Sequence, residues 1–300
     1  MENITKKFVK KQHYIPRFAL KYFTSENGKI SYTNIRHEKL RLLMGNVRDL
    51  MQEKNFYEVK NDSNEYVLRN RLEKQYGSFE ASMSSPYKKL LKLLDCENYQ
   101  QRYLDAVADG TWARIDSDML LYLIFSLIRG KVLKNSIFLD SNLNHKKEYI
   151  LYLQMTTSSS NAAEYAKRMY AGNELEDILF FLKSSKNNIL QVLVKHILSE
   201  YRIRVYKTTG NKKFFLSDNP VIIKKFKDED YVLPISSEVC ISFVKLQILQ
   251  ENVLLDSKIQ NISDYDVNRI NQESVKNTDK LLIINNADDL KFVKDILKSI

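Results

Sequence analysis

Four side chains in this chain could move protons or hold a metal ion: His13, Glu73, Glu80 and Asp218. His13 lies in residues 10–23, KKQHYIPRFALKYF. Pro16 has a fixed φ and disfavours helix for Ile15, so residues 12–15 are expected to be extended, with a short helix over 17–23. His13 and Tyr14 then stand just before a helix N-terminus, where free backbone amides and the dipole favour anions. A histidine there could bind phosphate or carry a proton, with Tyr14 and Arg17 beside it as substrate contacts. The structural alternative is that His13 and Tyr14 only lock an N-terminal arm onto the core.

Glu73 and Glu80 are seven residues apart on a helix expected over 65–82, where Leu68, Leu72, Tyr76 and Phe79 recur at helical spacing. Seven residues is two turns, so both carboxylates lie on nearly one face. Two carboxylates on one face can hold a divalent metal or form an acid–base pair, and they can equally be surface glutamates. Asp218 lies in Ser217-Asp218-Asn219-Pro220-Val221. Pro220 breaks a strand ladder, which leaves Asp218 and Asn219 on a bulge or loop that could carry a site carboxylate. The same residues make good turn chemistry in which Ser217 or Asp218 caps backbone amides. Arg129 interrupts the apolar run LLYLIFSLIRGKVL and needs an anionic partner: Glu73, Glu80, Asp218 or a substrate phosphate.

These residues also carry a resemblance. QHYIPRFALKYF resembles the opening signature of a large family of microbial proteins of unassigned function, a Gln-His-Tyr-Val/Ile-Pro segment followed by an apolar, aromatic-ended helix. Residues 217–221 resemble the later Ser-Asp-Asn-Pro-Val segment of that family. Phe56-Tyr57, Leu72-Glu73, Glu80 and Arg129 are similar to its middle positions, although Ser126 stands where the family often has Gln. The resemblance spans nearly the whole chain. Some members resemble components of anti-phage or toxin loci, which implies a defence or toxin role.

The surrounding elements must position these groups. Residues 29–35 alternate like a strand, 55–59 (NFYEV) read as a short aromatic strand, and Pro86 is expected to restart the helix that continues to 94. The run 116–140 is the most apolar helix and should be the central one. Helices are expected over 98–113, 143–155, 162–170 and 174–200, with His145 and His196 alone on two of them. From 201 the pattern becomes β: a strand over 201–208, a hairpin turn at 209–211, a return strand over 214–216, and strands at 221–225, 231–235, 239–244 and 281–284. Ser263 or Asp264 should cap a helix through 276, and 288–298 reads as a terminal amphipathic helix.

With 44% apolar and 28% charged residues the chain is globular, and 300 residues suit one large domain: an N-terminal region 1–60, a helical region 61–200 and a β-rich region 201–300. The fold class expected is α+β, a helical centre packed with a C-terminal antiparallel sheet onto which the N-terminal motif docks. Net charge is +10 with pI about 9.2, which favours an anionic partner, although Lys, Asn and Ile enrichment also follows from an AT-rich genome. Basic residues cluster at 6–11, 207–213 and 224–227. Cys96 and Cys240 are far apart and suit a reduced, cytoplasmic setting, with no apolar signal core and no run long enough to span a membrane. No P-loop, dinucleotide glycine motif, GxSxG or HExxH occurs, which argues against those chemistries.

The reading reached is a metal-dependent, nucleic-acid-directed hydrolase. Glu73, Glu80 and Asp218 would be ligands to Mg²⁺ or Mn²⁺ or acid–base groups, His13 the proton carrier and Arg129 the phosphate stabiliser. Tyr57, Ser217 and Asn219 would be substrate contacts, and the partner nucleic acid or a nucleotide. The alternative is a non-catalytic sensor of a phage component, partner subunit or nucleic acid.

Overall fold

The computed structural model describes residues 8–61, 63–131, 149–150, 152–154, 157–184, 189–223, 229, 231–246 and 258–299. His145, the basic run 224–227 and most of the helix expected over 143–155 lie outside them. The opening stretch forms β1 (Lys11–His13), α1 (Arg17–Leu20) and a 3-10 turn (Lys21–Phe23), as the proline dictates. β2 (Ile30–Asn34) and β3 (Leu43–Gly45) follow, then β4 (Gln52–Lys54). β1 pairs antiparallel with β4 in the register Lys11↔Lys54, Gln12↔Glu53, His13↔Gln52. The expected strand over 55–59 is instead a turn: Asn55 has φ +54° and Glu58 N–H closes back on the Asn55 carbonyl at 3.1 Å.

The helix expected from residue 65 begins only at α2 (Arg71–Leu94). Asn64, Leu68 and Asn70 all have positive φ, which no helix accommodates, and the Asn70 amide is held by the Glu58 carboxylate at 3.1 Å. Pro86 does not divide α2, because buried Tyr87, Leu90 and Leu91 hold its second half against the core. α3 (Tyr99–Ala108) is cut from α4 (Thr111–Arg129) at Gly110, whose φ of +77° suits glycine. α4 is the buried central helix expected, but it stops at Arg129, where Gly130 is extended. α5 (Ser159–Met169), α6 (Gly172–Ser184) and α7 (Ile189–Glu200) follow in the helical region.

β5 (Tyr201–Thr208), β6 (Leu216–Ser217), β7 (Tyr231–Pro234), β8 (Val239–Lys245), β9 (Ile259–Ile262) and β10 (Leu281–Ile283) build the C-terminal third with α8 (Asp264–Lys276) and α9 (Ala287–Lys298). One sheet has the order β7-β8-β5-β9, antiparallel except for the parallel pair β5–β9. The second has the order β3-β2-β10-β6 and is antiparallel throughout. The fold is therefore α+β, and the N-terminal strands join the chain's C-terminal part through β10.

The hairpin expected at 209–211 does not form. β5 pairs with β8 and β9, whereas Leu216 and Ser217 cross to the other sheet and pair with Ile283 and Leu282. A buried Asn271 on α8 captures the crossing segment: its Oδ1 accepts the Phe215 amide at 2.9 Å and its Nδ2 donates to the Lys213 carbonyl at 2.8 Å. Ile203, Val205, Ile241 and Phe243 face the α2–α4 core, while Tyr206 and Cys240 face α8, so β5 and β8 are covered on both sides. Asp116 on α4 ties the helical layer to this sheet by accepting the Ile203 amide at 2.7 Å.

Asn271→Ala should leave the Phe215 amide and Lys213 carbonyl short of partners and cost about 2–3 kcal/mol, since a buried polar group left unmatched costs about 1–3 kcal/mol. Urea unfolding checks this: the midpoint should fall with the slope unchanged.

Candidate functional site

α4 ends at Arg129 and is followed by Gly130 and Lys131, and both cations are buried, with side chains only 1% and 4% exposed. The opening motif lies against both. Arg129 donates Nη2 to the His13 carbonyl, Nε to the Tyr57 hydroxyl at 2.6 Å and Nη1 to Glu80, its ion-pair partner. Its guanidinium also lies over the rings of Tyr76 at 5.0 Å and Phe125 at 5.4 Å. Burial works against its charge, but Tyr57 and Glu80 outweigh burial, so the guanidinium is held charged more firmly than an ordinary arginine. The Tyr57 hydroxyl in turn donates to the His13 carbonyl at 3.2 Å. Of the partners Arg129 could take, the fold supplies Glu80, with the backbone of His13 and the Tyr57 hydroxyl beside it. Ser126, the family's frequent Gln position, back-bonds to the Tyr122 carbonyl at 2.8 Å.

Lys131 serves a second group. Its Nζ lies 2.6 Å from Glu53, 3.6 Å from Asp218 and 3.7 Å from Asp279, and 4.6 Å over the Tyr14 ring. Asp218 is fully buried, and its carboxylate accepts the backbone amides of Asp279 at 2.8 Å, Lys280 at 2.9 Å and Leu281 at 3.0 Å. Burial raises its carboxyl above the usual range, opposed by those amides and by Lys131. Ser217 Oγ accepts the Asn219 amide at 3.0 Å, and Asn219 Nδ2 donates to the Asn277 carbonyl at 3.0 Å. Asn277 answers by donating to the carbonyls of Asn219 and Val221. The Ser-Asp-Asn-Pro segment is thus a capping device that fixes the entry to β10. Tyr14 docks toward it: the cavity lined by Tyr14, Pro16, Leu216 and Pro220 is only about 10 Å³, the size of one water.

The groups that keep chemical capacity are His13 and Glu73. His13 Nε2 and Glu73 Oε2 are both buried atoms without a hydrogen-bond partner. Burial, then Arg17 and Arg129, push the His13 imidazole down to about 4, against the carbonyls of Val47 and Arg48 that favour its charged form. With Nε2 unpartnered, the neutral ring can carry its proton on Nδ1 and keep a lone pair on Nε2. Burial lifts the Glu73 carboxyl to about 7, with Arg129 opposing and Glu80 and Glu58 adding to the lift. Arg17, which is exposed, acts on both groups.

Of the expected site residues, the fold therefore gathers His13, Tyr57, Glu73, Glu80 and Arg129, with Arg17 at the surface beside them. Tyr14, Ser217, Asp218 and Asn219 belong to the Lys131 side. Among the described residues no three His, Cys, Asp or Glu side chains form a group that could hold a metal ion. Sequence reading missed Lys131, Glu53 and Asp279. It also missed the buried Gln12, whose Nε2 donates to Glu58 at 2.6 Å while its Oε1 accepts the Tyr57 amide at 2.8 Å. The position of Lys131, directly after an apolar helix, was the one available signal. No helix among the described residues is long and apolar enough to cross a membrane.

The chain belongs to the family described as Protein of unknown function (DUF4238), whose model matches residues 11–288. No curated protein and no solved structure matches it.

Arg129→Met should destabilise the fold by about 3 kcal/mol, the cost of breaking a buried ion pair, because Glu80, Tyr57 and the His13 carbonyl all lose their donor; denaturant unfolding measures it. Glu73 titrates near 7 when folded and near 4.5 when free, so its ionisation opposes folding as pH rises from about 4.5 through 7. Glu73→Gln should therefore raise the melting temperature at pH 8 and leave it nearly unchanged at pH 4.5.

Proposed function

We propose that this DUF4238 member is a hydrolase of nucleic acid in which Glu73 is the general acid and His13 the general base. The observation that carries the reading is the opposed displacement of two groups that both feel Arg129 and Arg17: a carboxyl raised to about 7 and an imidazole lowered to about 4, each with an unpartnered buried atom. Pairs of titratable groups pushed apart by their environments mark acid and base roles. Between about pH 4 and 7 Glu73 keeps its proton and His13 is neutral, so both are in the form the chemistry requires.

In the proposed step His13 Nε2 takes the proton of an attacking water or sugar hydroxyl as the new oxygen–phosphorus bond forms. The bond to the leaving oxygen breaks, and that oxygen departs with the Glu73 proton. Solvent then returns His13 and Glu73 to their starting forms. Arg17, exposed at the edge of the site, supplies the cation for the substrate phosphate. Arg129 holds the carbonyl of His13 and Glu80 in place and lies too deep to meet substrate itself. The described carboxylates do not fit Mg²⁺ or Mn²⁺, because Glu73 keeps its proton as the acid, Glu80 is paired with Arg129 and Asp218 accepts three backbone amides.

A role as an anti-phage effector or toxin belongs to the same proposal: expression should arrest host growth only when Glu73 is intact. The alternative, a non-catalytic binding module, is favoured by the internal use of Arg129, and it would give binding with no product.

The test is incubation of the purified protein with RNA, DNA and nucleotides across pH 3–9, with Mg²⁺, Mn²⁺ or chelator. Turnover should follow a bell with limbs near 4 and 7, and Glu73→Gln should lower it at least 100-fold, within the range general acid–base groups contribute. Turnover unchanged in folded Glu73→Gln would end the reading.

A further inference from the structure

The two-stranded ribbon of β1 and β4 has an arrangement that stability alone does not account for. Its register places Lys11 directly opposite Lys54, and like charges directly opposite one another are destabilising. Lys11 is 68% exposed, and its nearest carboxylate, Asp49, is 4.0 Å away and itself half-exposed. Strand alternation puts Lys11, Lys54, His13 and Gln52 on one face. The other face is occupied: Gln12 reaches Glu58 and Glu53 reaches Lys131. The lysine pair therefore sits on the same face as the His13 imidazole, about 7 Å along the ribbon.

The far end of that face is unsatisfied in a specific sense. His13 Nε2 and Gln52 Oε1, cross-strand partners, are both buried without a hydrogen-bond partner. Gln52 turns its Nε2 toward the Asp49 carbonyl at 3.4 Å, which leaves its oxygen facing inward. Both free atoms are acceptors, so they call for a donor and disfavour a phosphate oxygen. A sugar hydroxyl meets that demand, and a deoxyribose lacks it. Just before β1 in the chain, Phe8 lies against the Arg69 guanidinium at 4.5 Å, with the Tyr66 ring at 4.4 Å from the same guanidinium and Phe8 42% exposed. Such a platform suits unpaired bases.

We infer that this ribbon is the binding track for single-stranded RNA: bases stack at Phe8, the backbone passes Lys11 and Lys54, and a ribose hydroxyl donates to His13 Nε2 and Gln52 Oε1. The inference deepens the nucleic-acid reading above and rests on it, but it concerns binding and is tested without turnover.

The experiment uses Glu73→Gln protein and a fluorescent RNA oligonucleotide, with the same-sequence DNA and polyglutamate as comparisons, over 50–300 mM salt. RNA should bind at least tenfold tighter than DNA. Adding Lys11→Gln and Lys54→Gln should weaken RNA binding at least tenfold and reduce the salt slope by about 1.4, at roughly 0.7 per lost phosphate contact. Both lysines are exposed and oppose each other, so the melting temperature should hold or rise. RNA affinity unchanged by the two substitutions, DNA bound as tightly as RNA, polyglutamate bound as tightly as either, or no RNA binding would each overturn the inference. An RNA-binding protein that cleaves nothing would instead sink the Glu73–His13 chemistry and leave the track standing.

Discussion

Two buried cations separated by one glycine set the terms for the rest of this structure. An uncompensated charge in a core costs several kcal/mol, so Arg129 and Lys131 require the chain to bring anions and carbonyls to the end of α4 from elsewhere. It does so from four regions. The opening motif gives the His13 carbonyl, α2 gives Glu80, β4 gives Glu53, and the C-terminal sheet gives Asp218 and Asp279. The N-terminal motif and the Ser-Asp-Asn-Pro segment, about 200 residues apart in sequence, are brought into one neighbourhood by Lys131 lying between Tyr14 and Asp218.

That arrangement divides labour between the conspicuous residues. Asp218 closes three backbone amides at the start of β10, and a carboxylate so used stabilises the second sheet. Arg129 is saturated by partners inside the protein. The residues with unmet capacity are those at the margin of the Arg129 cluster, where Glu73 and His13 are buried enough to be displaced in opposite senses and both feel the exposed Arg17. A frame that holds one arginine rigidly also fixes the two titratable groups that it displaces.

The β1–β4 ribbon is built into this frame. One of its faces is spent on Gln12, which reaches Glu58, and on Glu53, which ties it to the buried Lys131. The other carries two opposed lysines and two unmatched acceptors. An arm whose hidden face is over-determined can keep an exposed face that is costly by itself, because the stability comes from the hidden side.

The sequence by itself determined the local elements. Pro16 set the extended entry to α1, Gly110 the break before α4, Ser263 the cap of α8, and the apolar run of residues 119–128 the buried helix; each is a matter of φ restriction, capping or periodicity within a few residues. It also marked His13, Glu73, Glu80, Arg129 and Asp218 as chemically capable. Only the tertiary structure decided which of them share a place. Glu80 was one of several possible partners for Arg129, and Asp218 could have been ligand or cap until the amides of Asp279, Lys280 and Leu281 were seen to occupy it. The hairpin expected after β5 failed for the same reason that the late start of α2 escaped notice. Asn271 captures residues 213–215, and Glu58 holds the amide of Asn70, through contacts whose partners are 12 to 58 residues distant. Propensity and spacing act along the chain; the neutralisation of a buried charge acts across it.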